Sequence, residues 1–172
     1  LIRDAVGQLQ KSFEAMNQKT MEASLEANYL APILLAKDLG TAMETAAENS
    51  TSPLATAGGG SIVLLATMQA VAAFPSSLNY AAPKAALVHA ARILAAQWKH
   101  VRVNVVAPGA TLAGMAEASV SSGKYDSFIE KGIIPRFGRP EDIARAVRFF
   151  LEPDGYATGQ VLVVDGGLTL RR

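Results

Sequence analysis

Three short apolar runs, each ending near turn residues, most constrain what this chain can fold into. They cover residues 61–66, 101–107 and 160–164. Their length and their content of Val, Ile and Leu are typical of buried strands. The long segments between them carry apolar residues at helical spacing. The sequence therefore predicts strands alternating with helices.

The predicted helices cover residues 9–17, 21–46 and 77–99, and a fourth begins at Pro140. Pro140 is followed by two acidic residues, a composition that suits the first turn of a helix. Pro83 falls within the third helix, although proline has no N–H and clashes with the preceding turn. The third helix is therefore expected to begin close to Tyr80 or to kink at Pro83.

Tyr80 and Lys84 are the strongest candidates for chemistry. They lie four residues apart on a predicted helix, so their side chains share a face. A fixed positive charge stabilises a phenolate and lowers the pKa of the phenol from its usual value near 10. A phenol tuned in this way suits general acid–base catalysis. The alternative is an ordinary pair on a helix surface, because the spacing is common.

Further segments occur in a definite order after this pair. The strand at 101–107 leads into Pro108-Gly109, residues 136–144 read Arg-x-Gly-x-Pro-Glu-Asp-Ile-Ala, and residues 158–167 run from Thr-Gly-Gln to Val-Asp-Gly-Gly. From about Met21 to the C-terminus, this ordered set resembles the short-chain dehydrogenase/reductase family. The resemblance implies an α/β fold: a three-layer, Rossmann-like, doubly wound parallel sheet. It also implies an NAD(P)-dependent oxidoreductase.

The resemblance implies roles for four side chains. Tyr80 would be the general acid/base, and Lys84 would lower its pKa and bond the nicotinamide ribose. Thr67 stands thirteen residues before the tyrosine, where the family has a serine that polarises the substrate oxygen. Asn28 matches a helix asparagine that holds a water in the proton relay. The alternatives are local backbone bonding for Thr67 and a surface position for Asn28.

The resemblance also implies contacts to the cofactor, NADP or NAD, with NADPH slightly favoured. Pro108 and Gly109 match the turn that lets the backbone approach the nicotinamide. The family usually has a threonine at the position of Ala113, and the nearby Thr111 is the candidate for that contact although it is out of register. No metal site is expected, because the chain has no cysteine and its two histidines have no carboxylates clustered beside them in sequence.

The glycine-rich turn that receives pyrophosphate in a dinucleotide fold is not found in the sequence. The one cluster, Gly58-Gly59-Gly60, precedes a strand instead of following one. We therefore expect residues 1–172 to be a single domain whose first strands, with the glycine-rich portion, are missing. The strand at 61–66 would then have an open edge. A reduced family member that covers this edge by self-association, and a non-catalytic scaffold, are the alternatives.

The substrate is expected to be a small molecule with a carbonyl or imine. A 3-oxoacyl compound, a small ketone and a pteridine-like compound all remain open, although the pteridine-reducing branch of the family has an aspartate where this chain has Thr67. The helices that begin near Met21 and Ser77 correspond to those that pair in family dimers and tetramers, so a homo-oligomer is expected. The alternative is that their alanines pack only on the sheet.

Composition excludes several function classes. The net charge of +1 gives no basic field for nucleic acid. No apolar run is long enough to span a membrane, and no secretory segment is recognised. Half of the 172 residues are hydrophobic, which suits one globular domain with a sizeable core. Cytoplasmic localisation is the default expectation.

Overall fold

A computed structural model describes residues 16–50, 59–75, 77–114, 117, 121, 123, 125–153 and 155–171. The helix predicted at 9–17 lies almost entirely outside these residues. The elements follow in chain order: α1 Gln18–Leu25, a π-helical turn Glu26–Leu30, α2 Ala31–Glu48, β1 Gly60–Leu65, a 3₁₀ turn Met68–Ala70, α3 Leu78–Gln97, β2 Val101–Pro108, α4 Asp126–Glu130, α5 Pro140–Leu151, β3 Val161–Val164 and α6 Leu168–Arg171.

The three predicted strands form one parallel sheet in the order β1-β2-β3. β2 is central, and Val103, Val105 and Val106 on it are at most 1% exposed. A strand that is covered on both faces reads as a continuous apolar run, because neither face contacts water. The α/β prediction and the predicted strand positions are therefore confirmed.

Helices cover both faces of the sheet. Val103 and Val105 pack in one cluster with Leu87 and Ala91 of α3. Val106, which points to the other face, packs with Phe150 of α5. This alternation follows from the two-residue period of a strand. The result is the expected three-layer α/β/α arrangement.

β1 lies at the edge of this sheet. Within the described residues it pairs with β2 alone, in a register that sets Gly60 beside Val101 and Leu65 beside Val106. Leu65, at the carboxyl end of β1, is 50% exposed. The open edge expected from the sequence is thus present in this part of the chain.

A polar side chain in the core joins β2 to the approach of β3. Asn104 has no exposed surface. Its Nδ2 donates to the Ala157 carbonyl at 2.8 Å, and its Oδ1 accepts from the Gln160 N–H at 3.0 Å. Buried polar groups need such partners. Asn104 therefore fixes the segment that enters β3, a role that the sequence analysis missed.

In the described part of the chain, no helix has both the length and the apolar composition needed to cross a bilayer.

Candidate active site

The candidate residues gather at the carboxyl ends of β1 and β2. Thr67 lies two residues beyond β1, Pro108 ends β2, and Tyr80 is the third residue of α3. In open parallel sheets, ligands bind in the crevice outside the carboxyl ends of the strands. The fold thus brings these residues to the end of the sheet where a ligand is expected.

The first turns of α3 are held in place by α1. Pro83 has no N–H, so it leaves the carbonyl of Asn79 without its usual helical partner. The Ser24 hydroxyl donates to this carbonyl at 2.5 Å. α3 begins at Leu78, close to Tyr80 as the position of Pro83 required. The orientation of Tyr80 therefore depends on a contact between residues 55 positions apart.

Asn28 takes part in the same support. It is buried, within the π-helical turn between α1 and α2. Its Nδ2 donates to the Ser24 carbonyl at 3.0 Å and lies 3.2 Å from the Ser24 hydroxyl oxygen. A π-helical turn inside a helix often marks a functional position. The water-holding role of Asn28 stays a prediction, and the surface alternative is wrong.

Thr67 and Tyr80 meet directly. Thr67 is 7% exposed, and its hydroxyl lies close enough to the Tyr80 phenol to lower the pKa of that phenol. The same hydroxyl oxygen accepts the Gln69 N–H at 3.3 Å and caps the 3₁₀ turn. The local backbone contact and the contact with the candidate acid are therefore both present. Together they place two hydroxyl groups side by side at the end of β1.

The pKa of Tyr80 is raised, which corrects the expectation that Lys84 lowers it. Burial is the main cause, because it penalises the phenolate. The nearby Thr67 hydroxyl lowers the pKa of Tyr80, against this effect, and negative charge on Tyr125 adds to the increase. Lys84 is not among the groups that shift this pKa. In this structure Tyr80 therefore holds its proton at neutral pH.

Lys84 instead anchors α3 to the end of β1. Its Nζ donates to the Leu65 carbonyl at 2.8 Å, and this carbonyl lies two residues before Thr67. Burial lowers the pKa of the Lys84 ammonium. Lys84 thus reaches the same end of the sheet as Tyr80 and Thr67, where its ammonium is held by a backbone acceptor.

Gly109 is required by a close approach within the protein. A Cβ at this position would lie 2.6 Å from the Asp165 Cβ and 2.7 Å from its Cα. The Gly109 N–H donates to the Val164 carbonyl at 2.9 Å. Thr111 is buried, and its hydroxyl donates to the Gly109 carbonyl at 3.1 Å. The Thr111 hydroxyl therefore serves its own loop, and its cofactor contact stays a prediction.

The polar groups at this end of the sheet fit the nicotinamide and ribose half of a nicotinamide dinucleotide. Tyr80, Lys84 and the Pro108-Gly109 turn lie at the end of the sheet where such a ring would enter. The glycine-rich turn that would cradle the pyrophosphate is not among the described residues. The residues present could hold the nicotinamide and its ribose, and the described chain supplies no site for the phosphates.

Two residues of this site escaped the sequence analysis. Tyr125 is 8% exposed and packs beside Met68, and the nearby Gln69 side chain lowers the pKa of its phenol, which burial raises. Tyr125 lies 45 residues beyond Tyr80, after a segment rich in small residues, and no local pattern marks it. Gln69 could have been suspected from its position two residues after Thr67.

The expectation that no carboxylates lie near the histidines is wrong, because the fold brings two of them to His100. Glu44 and Glu48, at the end of α2, approach His100 just before β2, with ligand atoms within 4.8 Å of one another. Glu44 accepts from the N–H groups of Lys99 and His100 at 2.9 Å each, and from His100 Nδ1 at 3.1 Å. These bonds close the turn before β2, at the opposite end of the sheet from Tyr80.

The sequence model of a protein family described as "Enoyl-(Acyl carrier protein) reductase" matches residues 3–169. A 7alpha-hydroxysteroid dehydrogenase of Bacteroides fragilis is 35% identical over 120 residues, which cover 68% of this chain and 46% of that protein. The chain spans about half the length of the curated relatives it matches.

Solved structures share the fold. A protein described as a short chain dehydrogenase/reductase family protein matches with a TM-score of 0.76 and 29% identity, over 92% of this chain and 61% of that one. A gluconate 5-dehydrogenase from Burkholderia cenocepacia, in complex with NADP and tartrate, matches with a TM-score of 0.79 and 23% identity, over 93% and 60%.

Proposed function

Because the chain belongs to the short-chain dehydrogenase/reductase family, we propose that it provides the catalytic side chains of an NAD(P)-dependent oxidoreductase that reduces a carbonyl or imine. The observation that carries this proposal is that the Thr67 hydroxyl and the Tyr80 phenol lie near each other at the carboxyl end of β1. Two hydroxyl groups held together can bind one substrate oxygen and give it a proton.

The proposed reaction adds a hydride to the carbon and a proton to the oxygen or nitrogen. The nicotinamide, when bound, supplies the hydride. Tyr80 donates the proton, and its raised pKa keeps the phenol protonated and ready to donate at neutral pH. The Thr67 hydroxyl hydrogen-bonds the substrate oxygen and stabilises the negative charge that develops there. This charge state favours reduction over the reverse reaction, which needs the phenolate.

Lys84 and the β2 turn are the proposed cofactor contacts. Lys84 Nζ would donate to a ribose hydroxyl in place of the Leu65 carbonyl, since both groups offer a neutral oxygen acceptor. Pro108, Gly109 and Thr111 would border the nicotinamide. The cofactor would be NADP or NAD, because solved structures of this fold hold NADP or NADH. Asn28 would hold a water toward Lys84.

The test uses the full-length protein and NADPH deuterated at C4. We expect NADPH fluorescence to increase on binding, and deuterium to appear on the carbinol carbon of a reduced ketone. A second sample with unlabelled NADPH in deuterated water controls for solvent exchange at that carbon. An intact full-length protein that neither binds nor oxidises NADPH would favour the non-catalytic scaffold.

We also propose that the protein assembles as a homodimer or homotetramer through the outer surface of α1 and α2. This surface carries six large apolar side chains that are 37–60% exposed: Met21, Leu25, Leu30, Leu34, Leu35 and Leu39. Contiguous exposed apolar surface commonly marks an interface. α3 has both kinds of position: Ala91 is 1% exposed and packs on the sheet, whereas Ile93 is 54% exposed. Light scattering should give a mass of at least two subunits, and Leu35→Glu should lower it.

A further inference from the structure

A row of buried polar side chains on α1, and on the π-helical turn that follows it, lies against the start of α3. Thr20, Ser24 and Asn28 follow one another at intervals of four residues, and each is at most 8% exposed. Side chains at this spacing lie on one face of a helix. A helix usually packs through apolar residues, because buried polar groups need hydrogen-bond partners. This face of α1 therefore needs partners, and α3 provides them.

The partners are polar groups of Asn79, the residue immediately before Tyr80. The Ser24 hydroxyl donates to the Asn79 carbonyl at 2.5 Å, and the Asn79 Nδ2 donates to the Thr20 carbonyl at 3.4 Å. Asn28 completes the row, since its Nδ2 donates to the Ser24 carbonyl at 3.0 Å. The backbone and the side chain of Asn79 are thus both held by α1, which lies 55 and 59 positions earlier at these two contacts.

Pro83 makes the contact with Ser24 necessary. In a regular α-helix the Asn79 carbonyl would accept the N–H of residue 83, but proline has no N–H. A proline inside a helix also clashes with the carbonyl four residues before it, and this clash kinks the helix. The Ser24 hydroxyl supplies the donor that Pro83 lacks. The bond therefore holds the first turn of α3 in one direction relative to the rest of the helix.

This first turn carries the proposed proton donor. The Tyr80 N–H donates to the Ser77 carbonyl at 2.9 Å, so Tyr80 belongs to the turn before Pro83. Lys84, after the proline, is tied separately to the end of β1. Without the Ser24 bond, the turn before the proline would be free to tilt relative to the rest of α3. A displacement of about 1 Å at a reacting group can lower a rate about 100-fold.

We propose that Ser24 is a positioning residue: through the Asn79 carbonyl, it holds Tyr80 in the orientation from which the phenol donates its proton. Ser24 itself touches neither substrate nor cofactor in this proposal. The inference rests on the proposed function, because it takes Tyr80 as the proton donor. It predicts that Ser24 controls the rate of reaction only while residue 83 is a proline.

The test is a double-mutant cycle in the full-length protein, with NADPH and ethyl acetoacetate, a simple 3-oxoacyl ester. We expect Ser24→Ala to lower the rate constant of a single turnover at saturating ester by about 10–100-fold. The Kd for NADPH should stay the same, because Lys84 and the β2 turn are unchanged. Pro83→Ala restores a backbone N–H that can donate to the Asn79 carbonyl. In that background, Ser24→Ala should lower the rate constant by less than about threefold.

Ser61→Ala is the matched control. The Ser61 hydroxyl donates to the Phe150 carbonyl of α5 at 2.8 Å, also between distant parts of the chain, but at the amino end of the sheet. Its loss should lower the Tm, as Ser24→Ala does, and leave the single-turnover rate constant unchanged. If Ser24→Ala fails to fold, Ser24→Cys takes its place, because a thiol is a weaker donor. The loss should then be at least about threefold, and Pro83→Ala should again remove it.

Two results would overturn the inference and leave the proposed function standing. One is a folded Ser24→Ala variant that turns over at the wild-type rate. The other is a loss that is equally large in the Pro83→Ala background, since the hydroxyl would then not be replacing the N–H that proline lacks. Turnover that survives Tyr80→Phe, or a wild type that binds no NADPH, would remove the proposed function and the inference together.

Discussion

The two ends of the sheet use polar side chains in different ways. At the amino end, the Glu44 carboxylate accepts from the backbone N–H groups of Lys99 and His100. At the carboxyl end, the Thr67 hydroxyl lies beside the Tyr80 phenol and lowers the pKa of that phenol. The first arrangement satisfies backbone groups that have few other partners. The second joins two side chains, each of which can exchange its partner for a substrate oxygen.

This difference predicts which substitutions alter stability and which alter activity. Removing a side chain that satisfies a buried backbone group leaves that group unpaired, which costs about 1–3 kcal/mol. Removing a hydroxyl from a pair of side chains costs less stability, because its partner can find another donor or acceptor. Substitutions at the carboxyl end should therefore change turnover, whereas those at the amino end or in the β2–β3 junction should change the free energy of unfolding.

The largest expected effect is that of Tyr80→Phe. Loss of the proton donor should lower kcat/KM in the full-length protein by about 10²–10⁴-fold, the usual contribution of a general acid. The phenyl ring keeps the packing of tyrosine, so the Tm should stay the same. Tyr156→Phe, at a fully exposed position, is the matched control. A variant that loses stability together with activity would mean that Tyr80 is structural.

Asn104→Leu should produce the largest loss of stability. It removes both bonds that Asn104 makes, so the Ala157 carbonyl and the Gln160 N–H lose their partner. We expect the free energy of unfolding to fall by about 2–4 kcal/mol in urea titrations. Asn49→Leu is the control, because Asn49 is exposed and, among the described residues, its side chain bonds to the Thr45 carbonyl alone. If the two substitutions lowered the free energy of unfolding equally, the bonds of Asn104 would not be what holds the β2–β3 junction.

Glu44→Gln should cost less, and its effect should depend on pH. Burial raises the pKa of Glu44, but bonds from the His100 and Lys99 N–H groups and the His100 ring outweigh it, so the pKa is lowered overall. A lowered folded-state pKa contributes stability above the unfolded value near 4.5, and that contribution disappears as the pH falls through the folded value. The Tm difference between the wild type and Glu44→Gln should therefore shrink below about pH 4.

The control for this pH dependence is Glu48→Gln. Glu48 is exposed and shows none of these backbone bonds within the described residues. Its substitution should change the Tm little at any pH. If the two variants gave the same Tm profile from pH 7 to pH 3, the backbone contacts of Glu44 would not be the source of the effect.

The smallest expected effect is that of Thr67→Ser. Serine keeps the hydroxyl that contacts Tyr80 and Gln69 and removes one methyl group. We expect kcat/KM to remain within about threefold of the wild type, because the catalytic donor is retained. Steady-state kinetics with one ketone and NADPH would measure it. A hundredfold loss would show that the methyl group, and not the hydroxyl, is what the site requires.

Much of the fold followed from local patterns in the sequence. The three strands and the helices that contain Tyr80 and Pro140 follow from the spacing of apolar residues over a few positions. The helix at Pro140 is also favoured by Asp142, which accepts from the Arg139 N–H. The site depended on contacts that no local pattern contains. Ser24 reaches the carbonyl that Pro83 leaves unpaired, 55 residues away, and Tyr125 comes near the 3₁₀ turn because it packs in one cluster with Met68.

The sign of the Tyr80 pKa shift could not be predicted for a related reason. A charge four residues away on the same helix face predicts a lowered pKa, but the shift depends on how deeply the phenol is buried and where the ammonium points. In the fold, burial dominates and Lys84 donates to the Leu65 carbonyl. Spacing identified the right residues, and only the tertiary contacts decide their electrostatics.

A double-mutant cycle would test the central idea, that Thr67 and Tyr80 act together on one substrate oxygen. It compares kcat/KM of the full-length wild type, Thr67→Val, Tyr80→Phe and the double variant with NADPH and one ketone. Residues that act as a unit give strongly non-additive losses. The kcat/KM of the double variant should therefore be no more than about tenfold below that of the less active single variant. Losses that simply multiply would show that the two hydroxyls act independently and would contradict the account.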